Sequence, residues 1–572
     1  ADYDRQNGVE KAAVQLMDFE KSSTLQPGAS QTITMKVDLA NLASYDANGA
    51  KTYIVDPGDY YFAIGTDAHD ALNNVLAAQG KTVADGMTAD GNAAKTYKWT
   101  WTGDVDKTTF AVGKNGTAIT NQLTEGDYAM DYNAFEPGTV TYLSRADWNG
   151  TFPKTYSGLT ANATVSRLLN NDLYTLKTDD DVSDLVFGDT TSTLTINDMK
   201  NAPYDDPRWE ELVNKVTVAE FLDFSANAFH NIQGIASVNM PQKAADDGPG
   251  GSDSHYLNEG GYQGVPYADA ADYTSGTRVA PSPVNLAYAW NKELAFENGE
   301  IILGESTLVL DLPIMIGPGM NIHRHAYNAR GVEYYSEDPI LSGYVGSAVV
   351  QGAQSKGTLV NIKHMGFNDQ EHNRAGISAY MTEQKFRETD LRGFEGALSD
   401  AFGMGVMIAF NRIGATNASH HVGMIQKIVR GEWGFKGLIS TDMMNNYLYF
   451  NAESMVMAGI TQVADFAADN SHINLGEGGV DAVWPHISLE TVSKDSNLVE
   501  QARENLKYQL YIFANSAILN ISTQRVNTWW DTALTVTTYA SSILAVLFFL
   551  AWVVLTLLPE KKPVVVRVEN KR

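Results

Sequence analysis

The sequence predicts a multi-domain α/β plus β protein: a small β-sandwich, then a (β/α)8 TIM-like barrel, then a C-terminal transmembrane helix. Three observations carry this. Period-two alternation marks residues 1–66. Strand-sized apolar runs alternate with helical patterns across residues 206–525. Finally, Ala533–Leu558 holds no charged side chain.

The bulk numbers set the outer limits. At 572 residues the chain exceeds one core. Lys and Arg number 41 and Asp and Glu 68, a formal charge of −27. So acidic a chain is a poor partner for phosphate backbones, and no nucleic acid is expected. With 0 Cys there are no disulfides, thiolate metal sites or Cys nucleophile.

The first element is β. In Gln31–Leu39 the apolar residues Ile33, Met35, Val37 and Leu39 share one face. A Pro-Gly turn divides Thr52–Gly65 into two further strand-like runs. Residues 67–205 mix alternating pieces with many Asp, Asn, Thr and Gly, and read as a connecting segment. Its acidic run Asp179–Asp181 reads as a solvated loop.

The barrel reading rests on residues 206–525. Leu359–His364, Val406–Asn411 and Leu438–Asp442 are strand-sized and open apolar. Between them, Leu391, Phe394 and Leu398 follow helical spacing. Such alternation implies a parallel sheet covered on both faces. Repetition over this length favours a barrel, with an open doubly wound sheet as the alternative. In a barrel the chemistry lies at the C-terminal strand ends, here Lys363–His364, Phe410–Asn411 and Asp442.

Residues 529–558 read as a membrane-spanning helix, with Trp529 and Trp530 at its entry. Lys561, Lys562, Arg567, Lys571 and Arg572 follow it, which makes residues 559–572 a cytoplasmic basic tail and places the rest outside. The polar N-terminus shows no signal-peptide core, so the expectation is a chain starting partway along a longer polypeptide.

Five ordered stretches resemble glycoside hydrolase family 3, the β-glucosidase family. They are ADDGPGG (Ala245–Gly251), IGPGMNIHR (Ile316–Arg324), ARGVEYYSEDP (Ala329–Pro339), IKHMGFNDQEHNR (Ile362–Arg374) and EWGFKGLISTDMM (Glu432–Met444). The resemblance implies that Asp442 is the catalytic nucleophile of a retaining enzyme. It implies sugar contacts from Asp247, Arg330, Lys363, His364 and Arg374, with Phe410 below the sugar and Met443 beside the leaving group. Glu333 and Glu337 read instead as ion-pair or capping residues, and Asn373 and Asn411 as loop-holding residues. His323 and His325 do not read as metal ligands. Neither metal nor cofactor is implied.

Residues 1–66 resemble the family's fibronectin type III-like domain, which here precedes the barrel. In permuted relatives an α/β sandwich comes first and supplies the acid/base Glu. No such segment is visible, so that domain is expected upstream in the parent polypeptide. Three departures stand out. Met443 replaces an aromatic, usually Trp; Phe410 replaces Tyr; and the Asp-Gly-Pro loop lacks its Arg, with Asp253 and His255 nearby. The expected activity is hydrolysis of terminal β-D-glucosyl residues from small glucosides or oligosaccharides by a membrane-anchored, extracytoplasmic enzyme. A β-xylosidase and a non-catalytic carbohydrate-binding protein are the competing readings.

Overall fold

The computed structural model describes residues 6–124, 127, 142–152, 163, 169, 174–226, 231–247, 281–305, 308, 312–324, 328–372, 374, 376–443, 450–464, 494–519 and 529–558. Gly248–Gly251, Asp253, His255, His325, Asn373 and the basic tail lie outside them. The chain divides into two units, Ala1–Ile521 and Ser522–Arg572.

In the N-terminal part, β1 (Ser44–Asp46) pairs antiparallel with β2 (Thr52–Ile54), and β3 (Gly58–Ala63) with β4 (Thr96–Trp101). The turn at Pro57–Gly58 thus separates two strands that pair elsewhere rather than with each other. Gln31–Leu39 lies outside the paired strands. Its alternating residues Ile33, Met35 and Val37 line a cleft of about 2310 Å³ against Tyr60, Tyr61 and Phe62. None of the eight predicted site residues lines that cleft.

The α/β core holds the site. Its strands are β5 (Asn231–Ile232), β6 (Lys243–Asp247), β7 (Ile314–Gly319), β8 (Leu359–Met365), β10 (Gly405–Ile408) and β13 (Leu438–Thr441), in the spatial order β13-β10-β8-β7-β6-β5. A separate three-stranded patch combines β9 (Ser378–Ala379), β11 (Arg412–Ile413) and β12 (Thr416–Asn417). All pairings in the six-stranded sheet are parallel except β5 with β6. Every residue of β7, β8, β10 and β13 is buried, as continuous apolar runs require when helices cover both faces.

Alternate strand residues divide into two cores. Met315, Val360, Ile362, Val406, Ile408 and Ile439 join one cluster with Val345, Val349, Phe394 and Ile428. Ile314, Ile316, Leu359, Met407 and Leu438 join a second with Trp209, Phe224, Leu506 and Phe513. The helices Pro339–Gln354 and Ser496–Ala514 thus contribute to different cores. Leu391, Phe394 and Leu398 are buried, as their spacing predicts.

The closed (β/α)8 barrel expected from the sequence is not what forms. The core is an open, uncurled half-barrel: its six strands do not close on one another, and beyond β13 there is only a short parallel bridge from Ser440 to Gln462 among the described residues. Closure needs about eight tilted, staggered strands. Here helical side chains pack on both faces, so neither face curls around a strand-lined interior. The strand order follows chain order throughout, without the reversal of a doubly wound sheet.

One guanidinium ties the N-terminal segment to this core. Arg387 is 3% exposed. It forms a two-pronged pair with Glu432 at 2.6 and 3.0 Å, bonds Glu383 at 2.8 Å and donates to Thr120 O at 2.8 Å. Glu383 in turn accepts from the backbone N–H groups of Gln122 and Leu123. The Tyr45 ring lies 4.6 Å from the Arg387 guanidinium.

In the second unit, Trp529–Leu557 is one helix. Its stretch Thr532–Leu557, 26 residues at mean hydropathy 2.4, is long and apolar enough to cross a membrane. At ~1.5 Å per residue it outspans a ~30 Å hydrocarbon layer. Thr537, Ser542 and Thr556 return their hydroxyls to the carbonyls of Ala533, Thr538 and Trp552, so these polar groups are satisfied within the helix.

Candidate active site

The strand ends bring the predicted residues together. Gly319 of β7 pairs with Lys363 of β8, which sets the register. Asn321 then clamps His364: its Oδ1 accepts from His364 N at 2.7 Å and its Nδ2 donates to His364 O at 2.9 Å. A Cβ on Gly319 would come within 2.6 Å of the Tyr334 ring, so glycine there lets Tyr334 lie against the strand end.

Asp442 follows the last residue of β13 and is 6% exposed. Its Oδ1 accepts from Met443 N at 2.8 Å. Its Oδ2 has no hydrogen-bond partner among the described residues and faces His364 Nε2 at 3.6 Å, beyond hydrogen-bond length. Burial pushes the Asp442 carboxyl up to about 6, while the Met443 N–H, Arg330, Arg374 and Lys363 pull the other way. Burial also holds His364 well below its ordinary value, helped by Arg330, Lys363 and Arg374, so its ring is neutral.

The cations are themselves held. Lys363 reaches Asp247 at 2.7 Å and Glu333 at 3.4 Å. Burial opposes its charge, but the two carboxylates prevail and its pKa is raised. Arg330 forks onto Glu333 at 2.6 and 2.8 Å. Arg374 pairs with Glu371 at 2.9 Å and lies 4.6 Å from the centre of the Phe410 ring. Phe410 is 1% exposed, and Met443 packs against the first core cluster.

Glu333 is the ion-pair residue its context suggests. Glu337 is exposed, and Asp338 instead caps the helix Pro339–Gln354 by accepting from Ile340 N and Leu341 N at 2.8 Å. Asn411 holds its loop by donating to Gly366 O and Arg412 O. His323 meets the Tyr334 carbonyl at 3.0 Å. Sequence reasoning passed over Tyr334, Asn368 and Glu371. Asn368, Glu371 and Arg374 lie three apart, and that spacing was the available signal.

The arrangement can hold a polar ligand among alternating charges beside a carboxylate with one free oxygen. Asp247, Glu333 and Glu371 are each held by a cation, namely Lys363, Arg330 and Arg374.

Comparison with known proteins matches residues 256–463 to the glycosyl hydrolase family 3 N terminal domain, and residues 3–68 to the fibronectin type III-like domain. Probable beta-glucosidase K of Emericella nidulans is 32% identical over 238 residues, 41% of this chain and 26% of that protein. The exo-alpha-(1->6)-L-arabinopyranosidase of Bifidobacterium breve is 31% identical over 221 residues, 39% of this chain and 28% of that protein. The chain therefore spans only about a quarter of the length of these relatives. The crystal structure of a beta-glucosidase from Paenibacillus barengoltzii matches in fold, with a TM-score of 0.55 at 20% identity, covering 86% of this chain and 48% of that one. The chain thus carries one stretch similar to a fibronectin type III-like domain and a later one similar to the glycosyl hydrolase family 3 N terminal domain.

Proposed function

We propose that the parent protein is a retaining β-glycosidase that removes terminal β-D-glucosyl residues from small glucosides or oligosaccharides, with Asp442 as nucleophile. The observation that carries this is the free Oδ2 of Asp442 at the end of β13, within the field of Lys363, Arg330 and Arg374. The carboxylate attacks the anomeric carbon, the leaving oxygen takes a proton from a general acid, and water then releases the sugar from the glycosyl-enzyme. Asp247, Arg330, Lys363, His364 and Arg374 contact the sugar. The general acid comes from an α/β sandwich domain of the parent polypeptide. This is supported by the geometry of Asp247, Glu333 and Glu371, each of which is engaged by a cation. The apolar helix anchors the chain, with the basic tail cytoplasmic and the catalytic part outside.

Asp442→Asn in the full-length parent tests this reading. Loss of aryl-β-glucosidase activity is expected; full retention would sink the nucleophile assignment. This chain alone should retain far more activity on dinitrophenyl glucosides than on unactivated ones, because a good leaving group needs no acid. Equal loss on both would remove the case for an external acid.

A second reading, a membrane-tethered sugar-binding protein without turnover, draws on Phe410 and Met443. Phe410 lacks the hydroxyl, and Met443 the aromatic surface, that the resemblance leads one to expect at each position. Binding of glucose with no turnover by the parent would favour it. A β-xyloside specificity is tested by the ratio of xyloside to glucoside turnover.

A further inference from the structure

Three buried side chains and the half-buried Glu371 form a line that ends at the free oxygen of Asp442. Glu371 Oε1 accepts from Asn368 Nδ2 at 2.9 Å, and the same Nδ2 donates to the Tyr334 hydroxyl at 2.9 Å. That hydroxyl meets His364 Nδ1 at 3.5 Å. His364 Nε2 then faces Asp442 Oδ2 at 3.6 Å. Tyr334 is 0% exposed, His364 1% and Asn368 2%.

We infer that Tyr334 is a positioning residue that fixes the His364 tautomer, so that Nε2 carries the ring proton and presents it toward Asp442. The inference deepens the proposed role of Asp442 and rests on it for its catalytic meaning. A carboxylate only accepts, so Glu371 fixes which end of the Asn368 amide faces it. The Asn368 NH₂ then occupies a lone pair of the Tyr334 oxygen and leaves the phenolic proton to be given away. Burial keeps that phenol protonated, since it raises the pKa. The proton goes to Nδ1, which must then be unprotonated, and a neutral imidazole holds its one proton on the other nitrogen.

The opposite tautomer would set the Nε2 lone pair against the lone pairs of Asp442 Oδ2. Phe410 supplies no hydroxyl to that oxygen, so His364 is the ring that faces it. A neutral N–H donor steadies the carboxylate without the full charge of an imidazolium. Titratable neighbours of the ring are Arg330, Lys363 and Arg374, all of which disfavour a second proton, along with Tyr334 and Asp442.

The test is ring-15N histidine NMR on the whole chain in detergent, with His364 assigned as the resonance lost in His364→Gln or His364→Asn. The expected wild-type spectrum shows an unprotonated Nδ1 and a protonated Nε2 at pH 7. Protonated Nδ1 would overturn the inference, and this readout stands even if a Tyr334 variant fails to fold. Tyr334→Phe should mix the tautomers, with both nitrogen shifts moving toward their mean; unchanged shifts would also overturn it. In the parent enzyme Tyr334→Phe should lower kcat about five- to tenfold, the worth of one hydrogen bond, with little change in KM. Because the spectrum does not depend on turnover, a wrong nucleophile and a wrong tautomer give different results.

Discussion

Oδ2 of Asp442 stands 3.6 Å from Nε2 of His364, yet the two do not form an ion pair. Burial has drawn their titrations together. The carboxyl is pushed up to about 6 and the imidazole is held well below its ordinary value. Three cations disfavour a proton on the ring and favour its loss from the acid. At neutral pH the result is one anion beside one neutral ring.

An acidic limb near pH 6 follows for any step that needs ionised Asp442. Trapping of the parent enzyme by a 2-fluoroglucoside should fall tenfold per pH unit below about 6. A limb near 4 would mean that Asp442 titrates as an ordinary exposed carboxylate.

Asp442→Asn should stabilise the fold at neutral pH. Burial lifts the folded carboxyl from its ordinary 3.8 to about 6, worth ~3 kcal/mol as an upper bound. The folded state holds its proton more tightly, so this favourable term is complete below about pH 4 and lost as pH rises through 6. The gain from Asn is therefore present at pH 7.5 and absent at pH 4. Denaturant melts at both values check it. A pH-independent difference would contradict the buried-charge account.

Lys363→Met should destabilise the core by about 2–3 kcal/mol, because Asp247 and Glu333 lose their shared cation. The figure sits below that for a fully buried pair, since both carboxylates keep some contact with solvent. Urea unfolding gives the number, and Lys363→Arg should recover part of it.

Arg387→Met should cost about 3–5 kcal/mol, since Glu432 would remain buried without its cation and Glu383 would keep only the Gln122 and Leu123 N–H groups. Limited proteolysis should then cut within residues 45–123 first. A double-mutant cycle with Glu432→Gln should show coupling above 1 kcal/mol.

Much of the core was legible in the sequence. Leu359–Met365, Gly405–Ile408 and Leu438–Thr441 are strands because uninterrupted apolar runs suit a sheet covered on both faces. Lys363, His364 and Asp442 converge because parallel strands end on the same side. Closure was not legible, because it depends on strand number and stagger rather than on any strand's own residues. Gln31–Leu39 has the alternation of a strand, but pairing also needs a partner in register. Tyr334 was hidden by its neighbour: Tyr334 and Tyr335 look alike in sequence, and only Tyr334 reaches His364. Arg387 offered no signal, because Thr120 lies 267 positions away.

That distance bears on synthesis. The loop around Thr120 leaves the ribosome long before the guanidinium that will lock it. At ~5–20 residues per second the interval is roughly 13–50 s. For that time Tyr45, Gln122 and Leu123 lack their partners Glu388, Arg387 and Glu383, and Ile33, Met35 and Val37 lack the Arg387 side of their cleft. The N-terminal segment is thus completed late in synthesis, and the Arg387–Glu432 pair is the latch that completes it.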